Sequence, residues 1–297
     1  EDETVDALIP ELMDPMTFRG TVYGLPFNYK SIALIYNKAL IDKPPATTGE
    51  LVAAAKTHTN ASVGKFGLAY EYSNYFFHAA LMNGMGGGVF APGPAPTINR
   101  PENIKAIDLM MRWYTEDKIL PADPSSALIS TLFNGGNAAM VLSGPWFVSE
   151  IEGDVDYGLA PLPSCDECGG EPLQPWLTVE GIYISAGSKN SEQAYELLKF
   201  LVSEEPALVM ALEGRQQPSN KAVYDNPDVI NDPVLSAFRK QLETAVPMPN
   251  YAEMTLMWSP VTTAMNKIVK GSASAQSAMD EAQQTITTSI EALRRGR

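Results

Sequence analysis

The sequence predicts an α/β protein organised as two lobes. Runs rich in β-branched and aromatic residues alternate along the chain with segments of helical periodicity. A chain of 297 residues with 45% hydrophobic content holds enough apolar material for more than one core. No internal repeat or low-complexity tract interrupts this alternation.

The first unit is RGTVYGLPFNYKSIALIYNKALI, residues 19–41. Thr21 to Leu25 and Ser31 to Tyr36 read as strands, joined by a polar Asn28-Tyr29-Lys30 segment where a crossing between lobes fits. Thr47 and Glu50 have capping-box spacing and open a helix with Leu51, Ala54 and Ala55 inward. Residues 66–72 read as a strand, and Asn74 to Met82 as a helix stopped by glycines. Pro101 starts a helix with Ile104, Ile107, Met111 and Tyr114 at helical spacing. DPSSALISTLFNGG is a second helix, Ala138 to Leu142 a short buried strand, and GPW the start of a further helix. Residues 156–163 and 176–186 read as two paired strands with a cysteine loop between them. NSEQAYELLKFLVSEE is amphipathic, with Leu197, Leu198 and Leu201 inward, and Ala207 to Leu212 adds a helical segment. The last third alternates helix and loop. It closes on a docking helix with Ala282, Ile286, Ile290 and Leu293 in one stripe.

With 35 acidic against 21 basic side chains, the net charge is −14, which argues against nucleic acid or an acidic membrane as the main partner. No apolar run approaches the length of a membrane span, and the chain opens EDETVDALIPEL instead of a basic-then-apolar leader. It reads as a mature or trimmed soluble piece. The two cysteines, Cys165 and Cys168 in SCDECGG, have no second CxxC and no histidine at metal spacing. The preferred reading is a local disulfide pinning a hairpin tip, which fits an oxidising compartment.

Catalytic constellations are scarce. His58 and His78 are the only histidines, and nucleophile-elbow, phosphate-loop and dinucleotide fingerprints are all missing. His78, on an aromatic-rich helix, reads as a packed or edge-exposed side chain in preference to a base. Glu71, Glu180 and Glu253 offer carboxylates of the kind any acidic chain contains. Neither an enzyme nor a cofactor or metal site has positive support.

What stands out is aromatic material at loop ends and helix starts: Tyr70, Tyr72, Tyr75, Phe76, Trp146, Trp176, Tyr251 and Trp258. In NAAMVLSGPWFV, residues 137–148, Trp146 is either a core ring at a helix start or the floor of a binding cleft. Sugars present an apolar C–H face ringed by hydroxyls, so a sugar site needs flat rings flanked by donors and acceptors. Taken singly, each ring reads as core; their clustering favours a binding site without naming its ligand.

LPFNYKSIALIYNKALI, FNGGNAAMVLSGPW, YGLAPLP and VPMPNYAEMTLMW, followed by the terminal amphipathic helix, resemble the maltose/maltodextrin-binding protein family of ABC importers. The likeness runs over essentially the whole chain. It implies a periplasmic-binding-protein-like fold of two α/β lobes, discontinuous in sequence and joined by a multi-crossing hinge. Residues 1–28 and 183–231 would form the first lobe and 29–182 and 232–297 the second, with crossings near Asn28–Lys30, Val179–Ile182 and Asn231–Asp232. Nothing corresponds to the family's opening segment, which leaves the expected first lobe incomplete, with exposed sheet edges.

The resemblance also implies site residues. Trp146 and Trp258 fall on stacking tryptophans, Tyr75 on a tyrosine that stacks on and bonds the sugar with Phe76 beside it, and Met248 on an apolar contact. Lys30 and Ser73 stand where glutamates bond sugar hydroxyls, Ser259 where a tyrosine follows the tryptophan, and Thr262 where an arginine lies. The implied function is non-catalytic carbohydrate binding and delivery to ABC transporter membrane subunits, by a monomer in a periplasmic or extracellular location, with a membrane tether through the missing segment left open. Lys30 also leaves open an anionic ligand such as a sugar phosphate. The competing reading is a sensor or interaction domain of the same fold within a larger transporter or receptor assembly.

Overall fold

The computed structural model describes residues 3–295. The chain opens with α1 (Glu3–Asp6), a small hairpin of β1 (Thr17–Phe18) and β2 (Thr21–Val22), and strand β3 (Gly24–Lys30). There follow β4 (Ala33–Asn37), α2 (Thr48–His58), β5 (Phe66–Ala69), α3 (Tyr75–Gly84) and α4 (Pro101–Thr115). Then come α5 (Ser126–Asn134), β6 (Ala138–Ser143), α6 (Pro145–Val148), β7 (Tyr157–Ala160) and β8 (Trp176–Tyr183). Helices α7 (Ser191–Leu201) and α8 (Glu204–Leu212), strand β9 (Gln217–Pro218), α9 (Pro227–Asn231) and α10 (Pro233–Gln241) come next. Strand β10 (Val246–Pro247), α11 (Trp258–Val269) and α12 (Ala275–Arg295) complete the order.

Two compact α/β units result, Glu1–Ser31 with Leu177–Glu243, and Ile32–Trp176 with Thr244–Arg297. The passages between them fall at residues 31/32, 176/177 and 243/244, against the expected 28/29, 182/183 and 231/232. The differences follow hydrogen bonding. Strand β3 runs through the supposed polar joint to Lys30, and Thr178 to Tyr183 pair with it, so residues 29–31 and 177–182 group with the first unit. Asp232 does not end that unit either. Its carboxylate accepts from the backbone N–H of Val234 and Leu235 at the start of α10 and pairs with Arg215 at 2.7 Å.

In the second unit the sheet order is β5-β6-β4-β7, with β5 parallel to β6 and β4 antiparallel to both neighbours. Every residue of β4 and β6 is buried, as their continuous apolar runs require. Gly67 lets α2 lie directly on β5, because a Cβ there would come within 2.0 Å of the Ala55 backbone. Helix α12 lays Ala278, Met279, Ala282, Ile286 and Ile290 into the same large core, and its Gln283 bonds the backbone of Pro96 and Ile98.

The first unit is thinner. Strand β3 lies between β8 and β9, antiparallel to both, with a bulge between Pro26 and Asn28. Among the described residues its apolar material includes two small clusters, one around Tyr29, Tyr224 and Leu235 and one around Leu8, Leu25 and Val202. Helix α7 has no buried side chain, and Phe18, Tyr23, Tyr183, Leu197, Phe200, Val209 and Ile230 are exposed.

The expected strand pair across the cysteine loop does not form. Strand β7 pairs with β4 and β8 with β3, in separate sheets. Cys165 and Cys168 do form a disulfide, with Cα atoms 5.0 Å apart, and their loop is closed by a short antiparallel bridge between Ser164 and Pro172, with the Cys165 N–H donating to Glu171 O at 2.7 Å. It sits against the start of α2. There Asp166 accepts from the Gly49 N–H at 2.8 Å, Glu167 from the Thr48 hydroxyl at 2.9 Å, and Arg112 pairs with Glu167.

Candidate functional site

Three helix starts in the second unit bring aromatic side chains into one row. At α6, Pro145 occupies the first turn, where its missing N–H costs nothing, and Trp146 follows half-buried. Gly144 is what lets that ring fold back: a Cβ at this position would lie 2.0 Å from the indole. At α3 the Asn74 side chain caps the helix by accepting from the Phe76 N–H at 3.1 Å, which fixes where Tyr75 and Phe76 point. At α11 Trp258 is the first helical residue, half-buried and following the buried Met257.

The ring contacts are continuous. Trp146 meets Phe76 at 6.2 Å, Phe76 meets Trp176 at 6.3 Å, and Trp176 meets Trp258 at 5.9 Å between centroids. Phe77 backs Trp146 at 6.4 Å. These separations and tilted or edge-on angles are those aromatic pairs prefer. Phe76, Trp146 and Trp258 retain partial exposure, whereas Trp176 is only 2% exposed.

Tyr75 takes a different place from the one expected. It is 1% exposed, its hydroxyl donates to Met82 Sδ at 3.0 Å, and its ring packs on His78 and Trp176. The cap that turns Phe76 outward turns its neighbour inward, so Tyr75 supports the row from behind and presents no face. Burial raises its phenol pKa well above the ordinary value. His78 is fully buried, with no hydrogen-bond partner at either nitrogen, and burial lowers its pKa from 6.5 to about 4.

The remaining residues divide between the units. Met248 is half-buried against the second unit's core, Ser73 lies half-buried in the turn before α3, and Thr262 is exposed on α11, one turn beyond Trp258. Lys30 belongs to the first unit, at the end of β3, where it forms an ion pair with Glu180. Strand alternation and the β3–β8 register put Asn28, Lys30, Thr178 and Glu180 on one face of that pair. Lys30 holds the Glu180 carboxyl below its usual range. Trp176 was legible as an aromatic at a loop end, but nothing in its local sequence marked it as the link between Phe76 and Trp258. Among the described residues no cluster of His, Cys, Asp or Glu suits a metal ion, and no helix is long and apolar enough to cross a membrane.

Two α/β units, one carrying a row of partly exposed aromatic rings, define a two-lobed periplasmic-binding-protein-like fold. The family model for bacterial extracellular solute-binding proteins matches residues 1–237, and the chain belongs to that family. It is 28% identical to the maltotriose-binding protein of Pyrococcus abyssi over 91% of this chain, and spans 60% of that protein's length. It is also 28% identical to the galactooligosaccharide-binding protein of Bacillus subtilis, covering 93% of this chain and 68% of that one. Among solved structures, a cyclo/maltodextrin-binding protein complexed with maltotetraose superposes with a TM-score of 0.88 at 31% identity, covering 98% of this chain and 76% of that one. The Thermus thermophilus maltotriose-binding protein bound with maltotriose gives 0.87 at 28% identity, covering 97% and 78%.

Proposed function

We propose that this chain is a non-catalytic binding protein for oligosaccharides of the maltodextrin type, delivering them to the membrane subunits of an ABC importer as an extracellular or periplasmic monomer. The observation that carries the reading is the row of half-exposed rings at Trp146, Phe76 and Trp258. Flat rings suit the C–H faces of pyranoses, and Met248 adds an apolar edge. Ser73 and Thr262 supply hydroxyls in the second unit. Lys30, with its charge offset by Glu180, supplies a donor in the first and favours a neutral sugar over a sugar phosphate. The names and bound sugars of the relatives support the same ligand class. Delivery works by lobe closure: a sugar that contacts both lobes only in the closed form shifts the population towards it.

The test is calorimetric titration of the chain with maltotriose. Binding is expected, and Trp146→Ala weakens it about tenfold or more from the lost ring contact and burial. Absence of binding by the parent chain, or an unchanged affinity in the variant, overturns the reading. The second reading, an interaction domain of the same fold, has the exposed apolar side chains of the first unit in its favour. It predicts self-association in sedimentation and no sugar-induced thermal shift.

A further inference from the structure

Trp258 has a single ring neighbour among the described residues, and it is Trp176. The indole of Trp176 also meets Phe76 at 6.3 Å and Tyr75 at 6.2 Å, so one buried ring joins the start of α3 to the start of α11. The two residues before Trp176 are hydrogen-bonded to neighbouring elements. Gln174 N–H donates to Ala80 O at 3.1 Å, Asn83 Nδ2 donates to Gln174 O at 2.9 Å, and Val246 N–H donates to Pro175 O at 2.9 Å. The segment that leads into Trp176 is therefore tied to α3 and to β10, and the indole itself, 2% exposed, is too buried to offer a face to any ligand.

We propose that Trp176 is a positioning residue: it fixes Trp258 relative to Phe76 and Trp146, so that the rings form one extended shelf for an oligosaccharide in place of separate platforms. The proposal rests on the sugar-binding reading above and sharpens it. Trp146 and Trp258 stand at opposite ends of the chain of ring contacts, with Phe76 and the buried Trp176 between them, and on this proposal a disaccharide occupies one end alone. A short sugar uses one end of the shelf and is indifferent to its alignment. A longer one gains from both ends only when their spacing is right, because misplacement of a preorganised contact forfeits its energy.

The deciding measurement is the ratio of maltotetraose to maltose affinity in the parent chain, in Trp176→Phe and in Trp176→Leu, with Trp146→Ala as control. Trp176→Phe keeps a buried planar ring and is expected to weaken maltotetraose about fivefold while maltose stays within about twofold; Trp176→Leu follows the same pattern with a larger loss. Loss of general stability leaves the ratio alone, so the ratio separates positioning from packing. An unchanged ratio in both variants, with Trp146→Ala still weakening both sugars, overturns the positioning role and leaves the sugar-binding reading standing. If the leucine variant does not fold, the phenylalanine variant decides by the same ratio. A parent chain that binds neither sugar overturns both.

Discussion

Gly144 shows how one missing side chain shapes the site. Its backbone angles are open to any residue, with φ at −101°, so the requirement is space for the Trp146 indole and not a left-handed conformation. Gly144→Ala is expected to push the ring off the shelf, with about tenfold weaker sugar binding by titration and a shifted tryptophan emission, while the fold survives. His78 makes a second residue-level prediction. Because burial depresses its pKa to about 4, the unfolded chain takes up a proton that the folded chain refuses as pH falls below about 6.5. Its contribution to stability is therefore complete above pH 6.5 and is lost as pH falls to about 4, by up to about 3 kcal/mol. His78→Leu should flatten this part of the acid limb in urea denaturation between pH 6.5 and 4. A variant as acid-sensitive as the parent would place the sensitivity elsewhere. The packing of His78 was legible from its aromatic-rich helix, but its lack of a hydrogen-bond partner and the space that Gly144 leaves for the indole were not, because both depend on what tertiary packing brings beside them.

At the scale of elements, the period-based signals were the readable ones. The cap at Thr47, the proline starts of α4 and α6, and the stripe on α12 depend on residues within a turn or two of each other. Pairing was not local, and there the sequence misled: β7 and β8 flank a turn-rich loop but pair into different sheets. The loop's task is to hold the start of α2 instead. Replacing both cysteines with serine should cost about 2 kcal/mol on a loop-entropy basis and loosen the Asp166 cap, seen as faster amide exchange in the first turn of α2. In α12, Ile286→Ala opens a cavity in the large core and is expected to cost about 2–5 kcal/mol in denaturant unfolding.

At the scale of the molecule, the two units have separate cores of unequal size, and the sequence happens to provide a way to watch them apart. All four tryptophans, Trp113, Trp146, Trp176 and Trp258, fall in the second unit. Tryptophan emission therefore follows that unit alone, whereas far-ultraviolet dichroism follows the helices of both. With less buried apolar area and an α7 that has no fully buried side chain, the first unit should lose its structure at lower urea, so the dichroism change begins before the emission change. Adding maltotetraose turns this difference into a test of closure. A sugar held by the shelf at a concentration of 100 Kd stabilises whatever it binds by about 2.7 kcal/mol. If it engages only the second unit, the emission transition moves to higher urea and the early dichroism phase stays where it was. If delivery works by closing two lobes on one ligand, the sugar also bonds the first unit through the Lys30 face, and the early phase must move with the late one. A stationary early phase beside a shifted emission transition would leave a sugar-binding unit and remove the closure mechanism.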